Sequence, residues 1–496
     1  MATTIDATTW EARSEQLTLV GDAFIGNDSV PARSGQTFEK RSPVDGRHLA
    51  DVAAGDAADV DEAVRAARKA FEDTWAALAP RDRKALLLDY ADRIADAKEE
   101  LALLVTLEMG KPIADALSEV DYTVQCIAYY AEAIDKLYGE IGPTGPDSLT
   151  LVTREPAGVV GAVTPWNYPL LMPAWKLGPA LAAGNAVVLK PAEQTPLSGI
   201  RLGELAAAAG LPPGVVNVVP GFGETAGQAV GRHHDVDVIS FTGSGEVGKF
   251  FLRYAGESNM KAVWLECGGK SPNVVLADTP DLDQAAEQIA GGVFVNAGQM
   301  CNAGSRLIVD RSIGDEFLDR LVRAAEPWRP GNPFQAETRM GAIVDGTQLT
   351  RVLSYIESGK QEGARLATGG NQTLTETGGN YVEPTIFADA TNDMKIAREE
   401  IFGPVLSVIP ADDPERAVAI ANDTQYGLAA AVWTRDISRA HRIARALRAG
   451  NVYVNTYDRS DISLPFATFK QSGVGVDKSL HAIDKYIRLK TTWISL

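Results

Sequence analysis

The chain has 496 residues, 45% of them hydrophobic and 23% charged, enough apolar material for a sizeable core in about two or three domains. Its formal net charge of −18 repels phosphate backbones and anionic bilayers, so neither a nucleic acid nor a membrane surface is expected as a partner. The three cysteines, Cys126, Cys267 and Cys301, are too few and too widely spaced for a disulfide framework or a zinc cluster, and no metal site is expected. The N-terminal stretch has no basic segment leading into an apolar one, and no run approaches the ~18 apolar residues of a membrane helix, which points to the cytoplasm.

In chain order, residues 57–109 read as two amphipathic helices split at Ala79-Pro80. A third helix follows over about 113–138 and carries Cys126 as a small buried apolar residue. The stretch 141–152, IGPTGPDSLTLV, is rich in turn residues and ends in alternation, the pattern of a strand that leaves its own domain. From about 157, short β-branched runs alternate with helices. GVVGAVTPW, NAVVLKP, GVVNVVP, VDVISFTG and AVWLECGG are the strands, with helices at 173–183, 197–209, 223–231 and 244–255. A second alternating set runs from about 268 to 455, with strands near PNVVLAD, SRLIVD, VEPTIFAD, PVLSVIP, LAAAVWT and GNVYVNT. Such alternation specifies parallel sheets covered on both faces, hence two α/β domains with ligands at the carboxyl ends of the strands.

Four local patterns carry chemistry. GSGEVG (243–248) follows a strand and opens a helix, so Ser244 and its neighbours are phosphate candidates, a plain turn being the alternative. NAGQMCNAG (296–304) sets Cys301 on a glycine-flanked loop, open to close approach by a ligand. None of the five histidines has a setting suited to a Cys–His pair, which argues against a papain-like hydrolase. TPWNYPL places Asn167 at a strand end, as an oxyanion donor or merely a turn residue before Pro169. LECGGKSP ends a strand in Glu266, a general base or merely a surface charge.

Taken together, PWNYPL, KPAE, FTGS, LECGGKSP, GQMC and EEIFGPV resemble the aldehyde dehydrogenase superfamily, in its order and at its spacing, over nearly the whole chain. The resemblance implies two parallel-sheet α/β domains with a protruding β oligomerisation arm. A Rossmann-like NAD-binding domain would take 1–140 and 157–266, a catalytic domain 267–455, the arm 141–156 and 480–496, and a tunnel-mouth loop and return 456–479. The arms would pair across subunits of a homodimer or homotetramer. The implied catalytic residues are Cys301, Glu266, Asn167 and Lys176. Cys301 attacks the aldehyde, Asn167 and the Cys301 backbone N–H hold the oxyanion, and Glu266 hydrolyses the thioester.

NAD is the implied cofactor, held by Trp166, Lys190, Glu193, Thr242, Gly243, Ser244, Glu400 and Phe402. A carboxylate at Glu193 favours NAD over NADP by repelling a 2′-phosphate. Tyr168, Met172, Trp175, Met300 and Asn302 would line the tunnel for a small-molecule aldehyde, with the loop 457–464. Asp461, with Glu119 or Asp121, would meet a substrate ammonium; a solvated charged rim is the alternative.

Within the superfamily, YYAEAIDKLYGE, GESNMKAVWLECGGKSPN, AAVWTRDISRAHR and DKSLHAIDKYIRLKTTWISL are most similar to γ-glutamyl-γ-aminobutyraldehyde dehydrogenases of putrescine breakdown, which implies an ω-aminoaldehyde or its amide as substrate. Two departures stand out. PFATFK replaces the usual Pro-Phe-Gly-Gly before the aromatic-lysine pair, putting Ala467 and Thr468 near the tunnel mouth, and Cys267 sits at a usually aliphatic or small position. A broad or betaine-type dehydrogenase, a non-catalytic scaffold and a cofactor-free thiol esterase are the competing readings.

Overall fold

The computed structural model describes residues 6–496; residues 1–5, at the head of the stretch read for a leader, lie outside it. The first sheet has eight strands, in the order Asp28–Val30, Ala23–Ile25, Val216–Val218, Ala186–Lys190, Val159–Val163, Val238–Gly243, Ala262–Cys267 and Gly473–Val474. The five strands from Val216–Val218 to Ala262–Cys267 in this order are parallel and are the five predicted ones. Val159–Val163 and Ala186–Lys190 are buried at every position, as β-branched runs covered on both faces must be. The edges are antiparallel, so the sheet is mixed. Ala23–Ile25 pairs with Val216–Val218, and Gly473–Val474 with Ala262–Cys267. Pairs this short carry no periodicity a sequence can display.

The second sheet runs Arg365–Thr368, Thr385–Ala388, Val405–Ala411, Arg306–Asp310, Pro272–Val275, Ala429–Trp433 and Asn451–Val454. Six of these are the predicted strands; Arg365–Thr368 adds an antiparallel edge. Each sheet is covered by helices, with separate apolar clusters on the two faces.

Residues 57–109 form three helices instead of two. Ala57–Ala70 starts with a capping box from Asp56 and Asp59. The second predicted helix divides at Ala97 into Pro80–Asp96 and Lys98–Met109. Every residue from Leu101 to Met109 is buried, so no polar face marks the break. The next helix is Ile113–Ala133, with Cys126 fully buried in the core as expected.

Glu140–Gly142, Ser148–Pro156 and Ile487–Ser495 form a separate antiparallel sheet. Its long pair runs in register from Ile487 against Pro156 to Ser495 against Ser148, within one chain. The expectation that these two segments pair across subunits is therefore corrected: they satisfy each other's ladder. No helix among the described residues is long and apolar enough to cross a membrane.

Candidate active site

A cavity of about 560 Å³ opens where the carboxyl ends of Val159–Val163, Val238–Gly243 and Ala262–Cys267 face the loop after helix Leu282–Phe294. Cys301 sits on that loop, half-buried and free of any disulfide. The approach to it is left-handed at three successive residues, Asn296 (φ 53°), Ala297 (54°) and Gly298 (71°). For the two non-glycine residues this conformation costs about 1–2 kcal/mol each. Buried amides hold it in place. Asn296 Nδ2 donates to the Asn167 carbonyl at 3.0 Å, and Gln299 Nε2 donates to the carbonyls of Asn296 (3.0 Å) and Ala342 (3.2 Å). Gln299 Oε1 accepts from Val344 N at 3.0 Å. Gln299 looks like any polar loop residue in the sequence; its importance comes from partners distant in the chain.

The glycines around Cys301 have a different purpose from the expected close approach of ligands. A Cβ on Gly298 would lie 2.2 Å from the Gly403 carbonyl, and one on Gly304 would lie 2.4 Å from Asn273 Nδ2. Neither glycine lines the cavity. They let the loop pack against its neighbours.

Burial pushes the Cys301 thiol well above its usual pKa, with the Glu266 charge adding to the effect, so the resting thiol is protonated and needs a base. Glu266 lies beside it in register with Thr242, and both its carboxylate oxygens are buried without a hydrogen-bond partner. Burial raises its pKa to about 7, with Lys176 opposing. A carboxyl poised there exchanges protons at neutral pH. Asn167 Nδ2 donates one N–H to the Gln299 carbonyl at 2.9 Å, which fixes the side chain and leaves its second N–H for an oxyanion.

Lys176, grouped with the catalytic residues from the sequence, does not line this cavity. Its Nζ bonds Asp477 Oδ2 at 2.5 Å, and Asp477 also pairs with Lys485, so the ammonium lies in a buried triad behind Glu266. It acts on Glu266 through its charge. Glu119 and Asp121 are also corrected as substrate ligands. Glu119 is buried in an ion pair with Lys111, and its Oε1 accepts from Leu170 N (3.0 Å) and Leu171 N (3.1 Å), capping helix Leu171–Ala183. Lys111 also donates to the Asn167 carbonyl at 3.1 Å. Asp121 is exposed and paired with Lys98 at 2.6 Å. Tyr122 and Gln125 are the residues of this helix that reach the cavity.

Trp166, Thr242, Gly243, Ser244, Glu400 and Phe402 line the cavity, Trp166 meeting Phe402 edge-on at 5.1 Å between ring centroids. Ser244 caps helix Gly245–Gly256 by accepting from Val247 N at 3.3 Å. Thr242 Oγ1 is buried without a partner. A free hydroxyl beside a helix N-terminus offers donors to an anion. Glu400 Oε1 accepts from Gly269 N at 3.2 Å, and burial raises its pKa to about 7. A Cβ on Gly268 would lie 2.0 Å from the Glu400 carboxylate. Gln348 and Arg351, which the sequence reading missed, also line the cavity and donate to the carbonyls of Phe402 (2.8 Å) and Glu400 (3.0 Å). Lys190 and Glu193 pair with each other at 3.0 Å outside the cavity wall, one strand beyond Val159–Val163.

Tyr168, Met172, Trp175, Met300 and Asn302 line the same cavity, with the Phe466 ring tilted against Trp175 at 5.4 Å between centroids. Asp461 is at the exposed rim, its carboxylate already accepting from Ser463 N (2.8 Å) and Oγ (2.5 Å). The carboxylate deeper in the wall is Asp458, which accepts from Asn302 Nδ2 at 2.7 Å. Lys478 completes this wall and was also missed. Ala467 and Thr468 do not line the cavity, so the departure from Gly-Gly leaves the wall intact. Cys267 does touch it, but burial pushes its thiol up to about 12.

Comparison with known proteins agrees with this geometry. The chain is 50% identical over 489 residues to the NADP/NAD-dependent aldehyde dehydrogenase PuuC of Escherichia coli K12, covering 98% of each. It matches the crystal structure of a γ-glutamyl-γ-aminobutyraldehyde dehydrogenase from Burkholderia cenocepacia with a TM-score of 0.97 at 55% identity, covering 99% of this chain and 100% of that one. It matches indole-3-acetaldehyde dehydrogenase AldA of P. syringae, solved with NAD+, with a TM-score of 0.98 at 56% identity and the same coverage. Residues 30–492 match the aldehyde dehydrogenase family, and the chain belongs to that family.

Proposed function

We propose that this chain oxidises an ω-amino- or γ-glutamylamino-aldehyde to the carboxylic acid with NAD, through a thiohemiacetal and then a thioester on Cys301. The observation that carries the reading is the meeting of a half-buried thiol, an unpartnered buried carboxyl at Glu266 and a free amide N–H at Asn167 around one cavity. Glu266 takes the thiol proton as Cys301 Sγ bonds the aldehyde carbon. The oxyanion accepts hydrogen bonds from Asn167 Nδ2 and the Cys301 backbone N–H. NAD, when bound, supplies the hydride acceptor. Glu266 releases that proton to solvent and then, ionised again, takes one from water as the water oxygen adds to the acyl carbon. The C–S bond breaks, the acid leaves, and the thiol regains its proton.

The residues on the cofactor side fit a dinucleotide. Ser244 and Thr242 suit the pyrophosphate, Glu400 and Phe402 the nicotinamide ribose with Trp166 against Phe402, and Lys190 with Glu193 the adenosine ribose. The first sheet, over 1–140 and 157–266, would then be the cofactor unit, and 267–455 the unit that brings the thiol. A ribose-facing Glu193 favours NAD without excluding NADP, in keeping with the E. coli relative's name. The arm's exposed Leu489 and Trp493 favour a homodimer or homotetramer, and three unpaired cysteines suit the cytoplasm. A second reading, a broad or aromatic-aldehyde enzyme, is favoured by Tyr168, Trp175 and Phe466 in the wall and by the P. syringae relative.

The test is NADH formation by purified protein with γ-glutamyl-γ-aminobutyraldehyde, aminobutyraldehyde, betaine aldehyde, indole-3-acetaldehyde and an aliphatic aldehyde. Preference for the first two is expected. Equal use of the aliphatic aldehyde would sink the substrate assignment, and no NADH with any aldehyde would sink the activity.

A further inference from the structure

Lys478 is 5% exposed yet lines the cavity. Among the described residues it has one side-chain hydrogen bond, Nζ to the neutral Ser460 Oγ at 2.8 Å, and no ion pair. Its Nζ lies 5.9 Å from the centre of the Trp175 ring. An ammonium carries three donors, so two are left without an acceptor. The backbone is left-handed here at two successive non-glycine residues, φ 61° at Lys478 and 50° at Ser479, a strain the fold keeps at this wall. Burial lowers the Lys478 pKa, and the charges of Asp461 and Asp458 only partly offset that. Neither carboxylate pairs with it: Asp461 is bonded to Ser463 and Asp458 to Asn302. The wall therefore presents one ammonium and two carboxylates, close but separate. A ligand complementary to it carries both signs at the end remote from its aldehyde.

We propose that Lys478 receives the carboxylate of an aldehyde whose far end is an α-amino acid, with the substrate ammonium against Asp458 and Asp461, and that this pairing selects the substrate. The inference rests on the aldehyde dehydrogenase reading above and narrows it. A γ-glutamylamino-aldehyde ends in such a zwitterion, whereas a simple ω-aminoaldehyde offers only the cation. A substrate carboxylate supplies the acceptors that Lys478 lacks, and a charge-assisted bond in a half-enclosed site discriminates strongly.

The test compares kcat/KM for γ-glutamyl-γ-aminobutyraldehyde with that for its α-carboxamide, the amino group intact in both, with propionaldehyde as a third substrate. In the wild type the free acid is expected to lead by roughly tenfold or more, mainly through KM. In Lys478→Met the ratio of acid to carboxamide is expected to fall to within about twofold of unity, and in Lys478→Arg to persist. Equal use of acid and carboxamide by the wild type overturns the proposal, and this comparison needs no variant to fold. A ratio unchanged in Lys478→Met overturns it equally. Absence of NADH with all three aldehydes, propionaldehyde included, overturns the underlying reading instead.

Discussion

Replacing Glu266 by Gln tests the centre of the site through stability and turnover together. The Glu266 carboxyl is buried without a partner, and burial lifts its pKa from 4.5 to about 7. That rise corresponds to about 3 kcal/mol by which the folded protein disfavours the ionised form. Between those two values the folded protein keeps a proton that the unfolded chain has released. Stability contributed by this group therefore falls as pH rises through the window and stays low above it. Glu266→Gln is neutral and of the same shape, so it mimics the protonated form at every pH. It is expected to match the wild type in urea unfolding at acid pH and to exceed it by about 3 kcal/mol at pH 8, at equal protein concentration. Turnover should move the other way. Wild-type steady-state NADH formation should rise roughly tenfold from pH 6 to pH 8, as the ionised fraction goes from about a tenth to about nine-tenths. The variant lacks the base for both the thiol and the water, so it should give neither a burst of NADH nor steady turnover. A variant less stable than the wild type at pH 8, or one turning over steadily with the same rise near pH 7, would refute the assignment of Glu266 as a buried, functional base.

Asn167→Ala removes the oxyanion donor and should lower kcat by ~10²–10³, read in steady-state assays; a loss below threefold would remove Asn167 from the mechanism. Gly298→Ala puts a methyl 2.2 Å from the Gly403 carbonyl at a φ of 71°, and should cost about 1–3 kcal/mol or more in unfolding along with most activity. Glu193→Ser removes the charge opposed to a 2′-phosphate and should raise kcat/KM with NADP relative to NAD by about tenfold; an unchanged ratio would place the discrimination elsewhere. Asp477→Asn leaves Lys176 and Lys485 buried without their shared anion, an expected loss of about 3–5 kcal/mol. Lys176 would then draw on Glu266 unopposed, so the activity limb near pH 7 should shift to lower pH.

The strands of both sheets were legible because each is a short β-branched run closed by a turn residue, and the chemistry sits on those turns. Thr242, Gly243 and Glu266 sit at the carboxyl ends of their strands and Asn167 just after one, all at ends visible in the sequence, and the fold brings them to one cavity with Cys301. What stayed hidden depends on contacts distant along the chain. Gln299, Gln348 and Asp477 belong to no recognisable local pattern and gain meaning mainly from partners dozens to hundreds of positions away. Glu119 and Asp121 were misplaced because acidic residues on an amphipathic helix look alike. One turned inward to Lys111 and the other outward to Lys98. On the tunnel loop, Asp461 and Asp458 are three residues apart and both line the cavity, but Asp461 is exposed at the rim whereas Asp458 is half-buried and bonded to Asn302, a difference no local pattern displays.

The strand Gly473–Val474 joins the first sheet after the chain has completed the second. The residues that follow it supply Asp477 to Lys176, Lys478 to the cavity wall and Ile487–Ser495 to the arm. During synthesis on the ribosome, the thiol and its carboxyl emerge long before these residues do. A nascent chain therefore carries Cys301 for many seconds without Lys478 in the pocket wall or the Asp477 carboxylate that pairs with Lys176 behind Glu266. A chain cut short before residue 473 would lack the first sheet's edge strand, the Lys176 partner and the arm strand together, so these late residues close the pocket and the fold in one step.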